Sequence, residues 1–355
     1  MNGSPAVLSS TSPVECTLMN AVEILEYGRP FHYGQRSVPD VKADEALIAV
    51  NASGLCRTDI RLLEGGTNLG QLPRIPGHEI AGEIVKVGAQ VSQWQTGQRV
   101  AVATDVTCRT CVYCRAGQSQ RCQNKKRIGF ELDGGHADFV TAPADNLIPL
   151  PDGLSYEKAC VVPDAVATMY HSLIGRGKVG IHQKVIILGL GGLGIHGVQI
   201  ARLAGAEVLV TSRSRARLDA ARRFGALTVN PMEEDLAAAV DDFSGGLGAD
   251  VVADCVGSHE TIGQGLAFLR PGGKLLVIGY HDADIVVPSV PLFSTEKEVI
   301  GCRGSSRQEL IDAFDLVGRG RIDVVVGATY PLSAIGEAVA RMNSGSVIGR
   351  LVLTR

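Results

Sequence analysis

The sequence predicts a two-domain α/β protein, in which a strand-rich domain is joined to a doubly wound parallel sheet. Residues 19–100 contain short stretches with the β-branched, partly alternating pattern of half-buried strands, such as EALIAVNASG and AGEIVKVG. From Lys184 onward, short apolar strands alternate with helical stretches, which is typical of a parallel sheet with helices on both faces. A length of 355 residues also favours two domains over one.

The composition is that of an ordinary globular protein and argues against several functions. Hydrophobic residues make up 45% of the chain and charged residues 20%, which is enough apolar material for two cores. The net charge is −3 and aromatic residues are only 5%, so nucleic-acid binding is not expected. The longest apolar run, residues 185–200, is interrupted by glycines and His196, so no membrane span is expected. Residues 1–18 lack the features of a signal or transit peptide, which predicts a disordered extension and a cytoplasmic protein.

Four closely spaced cysteines predict a structural zinc site. Cys108, Cys111, Cys114 and Cys122 follow the spacing C-x2-C-x2-C-x7-C, and four thiolates can surround one zinc ion in a closed tetrahedron. The surrounding residues are polar and lack periodic structure, so the metal would hold this lobe together. A disulfide cluster is the alternative, which we disfavour because thiols stay reduced in the cytosol.

A glycine-rich loop predicts a dinucleotide site. Gly189, Gly191, Gly192 and Gly194 form G-x-G-G-x-G directly after the apolar stretch KVIIL and directly before a helical stretch. Such glycines allow a tight turn, a close approach of backbone to a pyrophosphate and close packing of helix on strand. The alternative is a glycine-rich turn that binds nothing, but strand, loop, helix and second strand all follow in the required order.

The end of the second strand of this unit favours NADP over NAD. NAD enzymes place an acidic residue there to bind the ribose hydroxyls, whereas this chain has Thr211, Ser212 and Arg213. A hydroxyl group and a guanidinium suit a 2′-phosphate, since Arg can make paired charge-assisted hydrogen bonds. The alternative is that Arg213, Arg215 and Arg217 form a solvated helix start, in which case NAD could serve as cofactor.

A second set of metal-binding residue types precedes and follows the cysteine lobe. Cys56, His78, Glu79 and Asp164 make up a mixed sulfur, nitrogen and oxygen set, which is the pattern of a catalytic zinc with a free coordination position. Taken singly, a buried cysteine, a core histidine and a helix-capping aspartate are the ordinary alternatives.

The stretch GHEIAGEIVKVGAQV fits the pattern G-H-E-x2-G-x5-G-x2-V. With the cysteine lobe and the glycine loop, it makes residues 19–355 resemble the zinc-dependent medium-chain alcohol dehydrogenase family. The resemblance implies a GroES-like β-rich catalytic domain, a Rossmann NAD(P)-binding domain and a cleft between them. We predict a disordered extension at 1–18, the first part of the catalytic domain at 19–165, the Rossmann domain at 166–302 and the rest of the catalytic domain at 303–355.

The same resemblance implies roles for the matching residues. Cys56, His78 and Asp164 would bind the catalytic zinc, with Glu79 beside them as an adjacent carboxylate. Asp59 would orient the zinc histidine, and Thr58 would take the alcohol proton. Arg57 and Arg350 would contact the cofactor pyrophosphate, and Thr168 would lie behind the nicotinamide. Many members carry His three residues after the hydroxyl; here it is Arg61, which cannot titrate near neutral pH, so water is expected to complete the proton path.

These features predict an NADP-preferring, zinc-dependent alcohol dehydrogenase or carbonyl reductase with two zinc ions per chain. The nearest alternatives are an NAD-preferring alcohol dehydrogenase and a zinc-dependent polyol or sugar dehydrogenase, which usually has Glu at the position of Asp164. A zinc-free quinone reductase and a non-catalytic protein of this fold are disfavoured, because every metal ligand and Thr58 are present.

The expected macromolecular partner is a second copy of the chain. Residues 286–302 are expected to lie at the edge of the Rossmann sheet, and an unpaired edge strand favours pairing across a two-fold axis. The family resemblance implies a homodimer or, as in many bacterial members, a homotetramer.

Overall fold

The computed structural model describes residues 17–66, 69–281 and 284–355. The predicted extension therefore lies outside the described residues, except for Thr17 and Leu18, where the first strand begins. No helix within the described ranges is long and apolar enough to cross a membrane.

The N-terminal half is rich in strands and contains only short helices. Its strands are β1 (Leu18–Glu23), β2 (His32–Ser37), β3 (Glu45–Leu55), β4 (Glu79–Val87), β5 (Arg99–Val102), β6 (Asp105–Val106), β7 (Lys126–Arg127), β8 (Phe139–Pro143) and β9 (Leu147–Pro149). Its helices are α1 (Arg57–Leu63), α2 (Val112–Arg115), α3 (Tyr156–Ala159) and α4 (Ala167–Tyr170). Short 3₁₀ turns lie at Ser119–Arg121 and Ala144–Asn146.

The region from Tyr156 to Arg176, whose apolar residues recur at helical spacing, is helical but not uniformly α-helical. Two π-helical segments, Val162–Val166 and His171–Arg176, flank α4. Pro163 lies in the first of them and has no amide hydrogen to donate, which weakens the regular α-helical ladder at this point. Single π turns are frequent at functional sites, and Asp164 lies in this one.

The middle of the chain alternates strands and helices. The strands are β10 (Lys184–Leu188), β11 (Glu207–Thr211), β12 (Leu227–Val229), β13 (Ala249–Asp254), β14 (Leu269–Val277) and β15 (Glu298–Gly301). The helices are α5 (Gly194–Leu203), α6 (Arg215–Arg223), α7 (Leu236–Ser244), α8 (His259–Phe268) and α9 (Ser289–Ser294). The strands form one parallel sheet in the order β12-β11-β10-β13-β14-β15, which is the doubly wound Rossmann order.

This sheet is buried on both faces. Alternate residues of β10 contribute to different cores: Val185 and Ile187 pack in one cluster, and Ile186 and Leu188 pack in the other. Strand residues buried on both faces explain the continuous apolar runs in the sequence.

The C-terminal segment returns to the strand-rich half. It contains α10 (Arg307–Gly318), β16 (Val326–Pro331), a 3₁₀ turn at Leu332–Ala334, α11 (Ile335–Asn343) and β17 (Arg350–Thr354). Strand β17 pairs antiparallel with β3, so that the C-terminal segment and the N-terminal half share one sheet in the order β16-β17-β3-β4-β5-β9, with β8 also paired to β3; β1 and β2 form a separate two-stranded sheet. The predicted fold class, a GroES-like β-rich domain with a Rossmann sheet, is confirmed.

The predicted domain limits stay predictions. The limit after residue 165 falls inside the helical region before α4, and the limit after residue 302 falls between β15 and α10. The largest hydrophobic cluster extends across both limits, because Val166 and Phe314 pack in the same core as Val185.

Candidate active site and metal centres

Four side chains that can bind a metal converge below the cleft between the two domains. Cys56 follows β3 and caps α1, His78 and Glu79 stand at the start of β4, and Asp164 projects from the first π-helical segment. One potential ligand atom from each residue lies within 4.8 Å of the others. The Asp164 Oδ2 atom is 3.6 Å from Cys56 Sγ and 3.9 Å from His78 Nε2. The structure thus brings together residues that are up to 108 positions apart in sequence.

A buried carboxylate supports His78 from behind. Asp59 Oδ1 lies 3.3 Å from His78 Nδ1, and Asp59 Oδ2 accepts a hydrogen bond of 2.8 Å from the Cys56 amide. Burial raises the pKa of Asp59, but the charges and hydrogen bonds of His78 and His136 outweigh it and hold the pKa well below its usual range. The ionised Asp59 therefore orients the His78 ring, with Nδ1 towards Asp59 and Nε2 towards the metal-binding side chains.

Sequence analysis missed a second histidine in this arrangement. His136 is fully buried, its Nε2 lies 3.7 Å from Asp59 Oδ2, and its Nδ1 lies 2.9 Å from Ser53 Oγ. A residue 83 positions from its partner has no local signature, although the unusual GGHAD turn marks a buried histidine in retrospect.

Arg350 links the metal-binding carboxylates to the glycine loop. Its Nη2 atom lies 2.6 Å from Glu79 Oε1 and 2.8 Å from Asp164 Oδ2, and a Cβ atom on Gly192 would lie 2.9 Å from its Nη1. The sequence interpretation placed Arg350 on the cofactor pyrophosphate; its position beside Gly192 is compatible with that role and adds a contact to the metal site. Thr168, expected behind the nicotinamide, also donates a hydrogen bond of 3.0 Å to Asp164 Oδ1.

The residues fit a zinc ion of the catalytic type. The set offers one sulfur, one imidazole nitrogen and carboxylate oxygens, which are the common ligands of a zinc ion that keeps one position open for substrate. Glu79 is fully buried, and its Oε2 has no hydrogen-bond partner among the described residues. Burial raises the pKa of Glu79, against the lowering effect of Arg350. A buried acid with an unsatisfied oxygen is stabilised by a cation beside it.

The cysteine lobe contains a second group of side chains that could hold a metal ion. Potential sulfur ligands of Cys108, Cys111, Cys114 and Cys122 all lie within 4.8 Å of one another, and all four thiols are free. The Sγ atoms of Cys108 and Cys122 are 3.5 Å apart, close to the roughly 3.8 Å that a tetrahedron of 2.3 Å zinc–sulfur bonds requires. This separation is far too long for a disulfide bond of about 2.05 Å.

The protonation of the lobe also fits a metal. Backbone hydrogen bonds from Thr110 and Cys111 lower the pKa of Cys108 to about 6, whereas burial raises the pKa of Cys114 to about 11. One thiol is therefore ready to bind at neutral pH, and another would release its proton as the metal binds.

The glycine loop has the geometry of a phosphate cradle. Gly189 has a φ angle of +89°, a conformation that favours glycine, and a Cβ atom on Gly194 would lie 2.2 Å from the Gly189 carbonyl oxygen. Helix α5 begins at Gly194, so its positive end faces the loop. His196 holds the loop from below: its Nδ1 donates a 2.6 Å hydrogen bond to the Gly192 carbonyl, and its Nε2 accepts from the Val325 amide at 3.0 Å. Burial lowers the pKa of His196 to about 4, which keeps the ring neutral.

The three arginines after β11 have different surroundings. Arg215 is paired with Glu233 at 2.9 Å, and Arg217 donates a 2.9 Å hydrogen bond to the Val347 carbonyl. Arg213 is exposed and makes no hydrogen bond or ion pair with any residue in the described ranges. Thr211 ends β11 and is buried, while Ser212 is half-buried and accepts a hydrogen bond from the Ser214 amide. Arg213 is therefore the one arginine of these three whose guanidinium has no hydrogen-bond or ion-pair partner within the described ranges.

One cavity of about 730 Å³ joins the metal site to the Rossmann domain. Cys56, Thr58, His78 and Asp164 line it together with Leu193 and Ile278 from the nucleotide side. Arg57, expected on the pyrophosphate, is exposed and donates a 2.7 Å hydrogen bond to Asn343. Arg61, for which the family resemblance implied His in many members, stacks its guanidinium 4.3 Å from the centre of the Tyr280 ring.

A dinucleotide-binding sheet beside a mixed-ligand metal centre defines a metal-dependent oxidoreductase. Residues 42–152 match the alcohol dehydrogenase GroES-like domain, and residues 192–319 match the zinc-binding dehydrogenase domain. The chain belongs to the zinc-dependent medium-chain dehydrogenase/reductase family, within its alcohol and polyol dehydrogenases.

Individual relatives span nearly the whole chain. An alcohol dehydrogenase of Geobacillus stearothermophilus is 31% identical, covering 94% of this chain and 99% of the relative. D-arabitol-phosphate dehydrogenase of Enterococcus avium is 32% identical, covering 88% of this chain and 90% of the relative.

Similar solved structures include complexes with either cofactor. A zinc-binding dehydrogenase from Sinorhizobium meliloti 1021 bound to NADP has a TM-score of 0.86 and 26% identity, covering 96% of this chain and 100% of that one. The acetophenone reductase of Geotrichum candidum in complex with NAD has a TM-score of 0.88 and 27% identity, covering 96% and 98%.

Proposed function

We propose that this protein is an NADP-preferring, zinc-dependent dehydrogenase that interconverts an alcohol and its aldehyde or ketone. The observation that carries the proposal is the shared cavity, whose lining includes three of the four potential metal ligands (Cys56, His78 and Asp164), Thr58 and residues of the nucleotide-binding sheet. Cys56, His78 and Asp164 would hold the catalytic zinc, with Glu79 beside them, and the four lobe cysteines would hold the structural zinc.

Each residue around the site has a distinct task in this reaction. Zinc, when bound, supplies a Lewis acid that favours the ionised form of the substrate hydroxyl. Thr58 would accept the hydroxyl proton while its own hydroxyl proton passes on towards solvent, and the orientation of His78 is fixed by Asp59. Thr168 and Arg350 hold the two oxygens of Asp164. Arg61 cannot accept the proton from Thr58, so the proton leaves through water in the cleft.

The nearest alternatives differ in substrate or cofactor. A polyol or sugar dehydrogenase shares this zinc pattern, and a relative at 32% identity is named for a polyol phosphate. NAD in place of NADP would require the ribose hydroxyls to bind at Thr211 and Ser212 without a carboxylate partner. Neither alternative changes the roles of the metal site and the glycine loop.

We expect the zinc-loaded protein to oxidise one or more alcohols with NADP, and to reduce the matching carbonyl compounds with NADPH. A screen of primary and secondary alcohols and polyols with both cofactors, followed by reduced-cofactor absorbance, measures this. Protein stripped of zinc by a chelator is the control and should be inactive. Failure of folded protein with two bound zinc ions to transfer hydride with either cofactor would overturn the proposal.

We further propose that the protein is a homodimer, or a dimer of dimers, that pairs through β15. This strand is an edge of the sheet, and the helix before it exposes Val290 (72%) and Phe293 (86%). An open strand edge beside exposed apolar side chains favours an interface between subunits.

The cytoplasmic location stays a prediction.

Light scattering at micromolar concentration should therefore give at least twice the 37.3 kDa chain mass. Phe293→Asp should shift the mass towards the monomer, because it places a charge in the interface. Leu247→Asp is the matched control, since Leu247 is similarly exposed (74%) but lies in the turn before β13. A monomeric wild-type protein would contradict the proposal.

A further inference from the structure

The wall of the cavity contributed by the cysteine lobe and by the start of α10 is unusually rich in arginine. Apart from the metal-site residue Asp164, its charged lining consists of four arginines and two aspartates, namely Arg109, Arg127, Arg303, Arg307, Asp105 and Asp145. We call the four arginines the arginine wall.

Three members of the arginine wall have carboxylate partners. Arg303 makes two contacts with Asp105, of 2.8 and 3.0 Å. Arg127 is paired through two of its nitrogens with Glu131, and Arg109 is paired with Asp145. These pairs neutralise their own charges: Arg303 joins the loop after β15 to β6, Arg109 joins the cysteine lobe to the 3₁₀ turn at Ala144–Asn146, and Arg127 pairs locally.

Arg307 has no such partner. Its guanidinium donates to two backbone carbonyl oxygens, those of Asp145 and Leu147, the latter at 3.2 Å. It forms no ion pair with a carboxylate in the part of the chain that the structure describes. Because Asp145 already pairs with Arg109, two guanidinium groups stand around one carboxylate and leave one positive charge unbalanced.

The start of helix α10 does not balance this charge either. Arg307 is the first residue of α10, where the helix dipole repels a cation. Glu309 in the same turn does not neutralise it, because its carboxylate accepts from the Ser306 amide at 2.8 Å and contacts His171 Nδ1 at 2.9 Å. Burial lowers the pKa of Arg307, and the charge of Arg109 lowers it further, although Asp145 opposes them.

We propose that the substrate carries a terminal anionic group, a phosphate or a carboxylate, which Arg307 binds while its hydroxyl lies at the metal site of the same cavity. Guanidinium groups bind both anions through paired, charge-assisted hydrogen bonds. The proposal rests on the dehydrogenase function above and narrows its substrate class from alcohols in general to alcohols with a charged end.

The test compares matched alcohols of three to six carbons, each as a neutral polyol, a sugar acid and a phosphate ester. For at least one chain length, kcat/KM for an anionic form should exceed that of its neutral counterpart by tenfold or more. Arg307→Gln should remove roughly ten- to hundredfold of kcat/KM for the anionic form, because a charge-assisted hydrogen bond is lost. The neutral form and the cofactor KM should change less than twofold. If only the phosphate esters show this increase in kcat/KM, the anionic group of the substrate is a phosphate. If only the sugar acids show it, the group is a carboxylate.

Arg319→Gln is the matched control, since Arg319 lies at the other end of α10 and pairs with Asp315 at 2.8 Å. Calorimetric titration of the zinc-loaded protein with the same compounds separates this proposal from the dehydrogenase proposal. Tight binding of an anionic form that Arg307→Gln abolishes, without turnover, supports the subsite and contradicts the enzyme function. Turnover and binding that never favour an anionic form, at any chain length, would overturn the subsite and leave the enzyme function intact.

Discussion

Replacing Cys56 with serine is expected to abolish turnover, to remove one of two bound zinc ions and to leave the fold intact. The Cys56 sulfur lies among the atoms that can bind the metal, and a serine hydroxyl is a much poorer zinc ligand than a thiolate. Without the zinc charge beside the reacting oxygen, we expect kcat to fall by at least about a thousandfold, more than removal of one preorganised hydrogen-bond donor costs. Stopped-flow or steady-state cofactor absorbance measures the rate, and elemental analysis measures the zinc.

Cys111→Ser makes the same chemical change at the other centre and is its matched control. Here we expect loss of the lobe zinc, a lower Tm and protease sensitivity between β6 and β7, because only two short helical turns and exposed ion pairs hold this polar lobe besides the metal. Some residues of the lobe line the cavity, so activity should fall only to the extent that loss of the lobe zinc displaces them. Wild-type protein with fewer than two zinc ions would contradict the assignment of two centres, and an active Cys56→Ser variant would contradict the catalytic role of the first.

The fold could be predicted because its signals are local. Alternating apolar strands and helices, the turn after β10 and the cysteine spacing each occupy one short stretch of sequence. Two local details have no such signal in the sequence. The helical region after Tyr156 contains a π turn around Pro163, and Trp94 is half-buried and donates a 2.9 Å hydrogen bond to the Ala144 carbonyl.

The supporting contacts of the site could not be predicted, because they join distant segments. His136 reaches Asp59 only through the pairing of β3 with the strands around it, and Arg350 reaches Glu79 only because β17 pairs with β3. Likewise, His196 connects the glycine loop to Val325 across 129 positions. A sequence pattern indicates the type of residue that binds a metal or a phosphate, but not which buried partner fixes its orientation.

The predicted preference for NADP depends on one of the three arginines after β11, because the other two already have partners. Arg215 and Arg217 already have partners, so they do not need an anion to balance or orient them. Arg213 stands alone next to Ser212, at the strand end where the adenosine ribose binds in this fold. No carboxylate follows Thr211 that would repel a 2′-phosphate or accept from ribose hydroxyls.

We therefore expect NADP to give a higher kcat/KM than NAD, and Arg213→Ala to raise the KM for NADP roughly ten- to hundredfold. The KM for NAD should hardly change, since only the 2′-phosphate loses a partner. Arg215→Ala is the control and should affect neither cofactor strongly, because its guanidinium is paired with Glu233. Thr211→Asp should shift the preference towards NAD, because the new carboxylate repels the phosphate and accepts from the ribose hydroxyls. If the wild-type enzyme prefers NAD and Arg213→Ala leaves both KM values unchanged, Arg213 belongs to a solvated helix start and the NADP assignment is wrong.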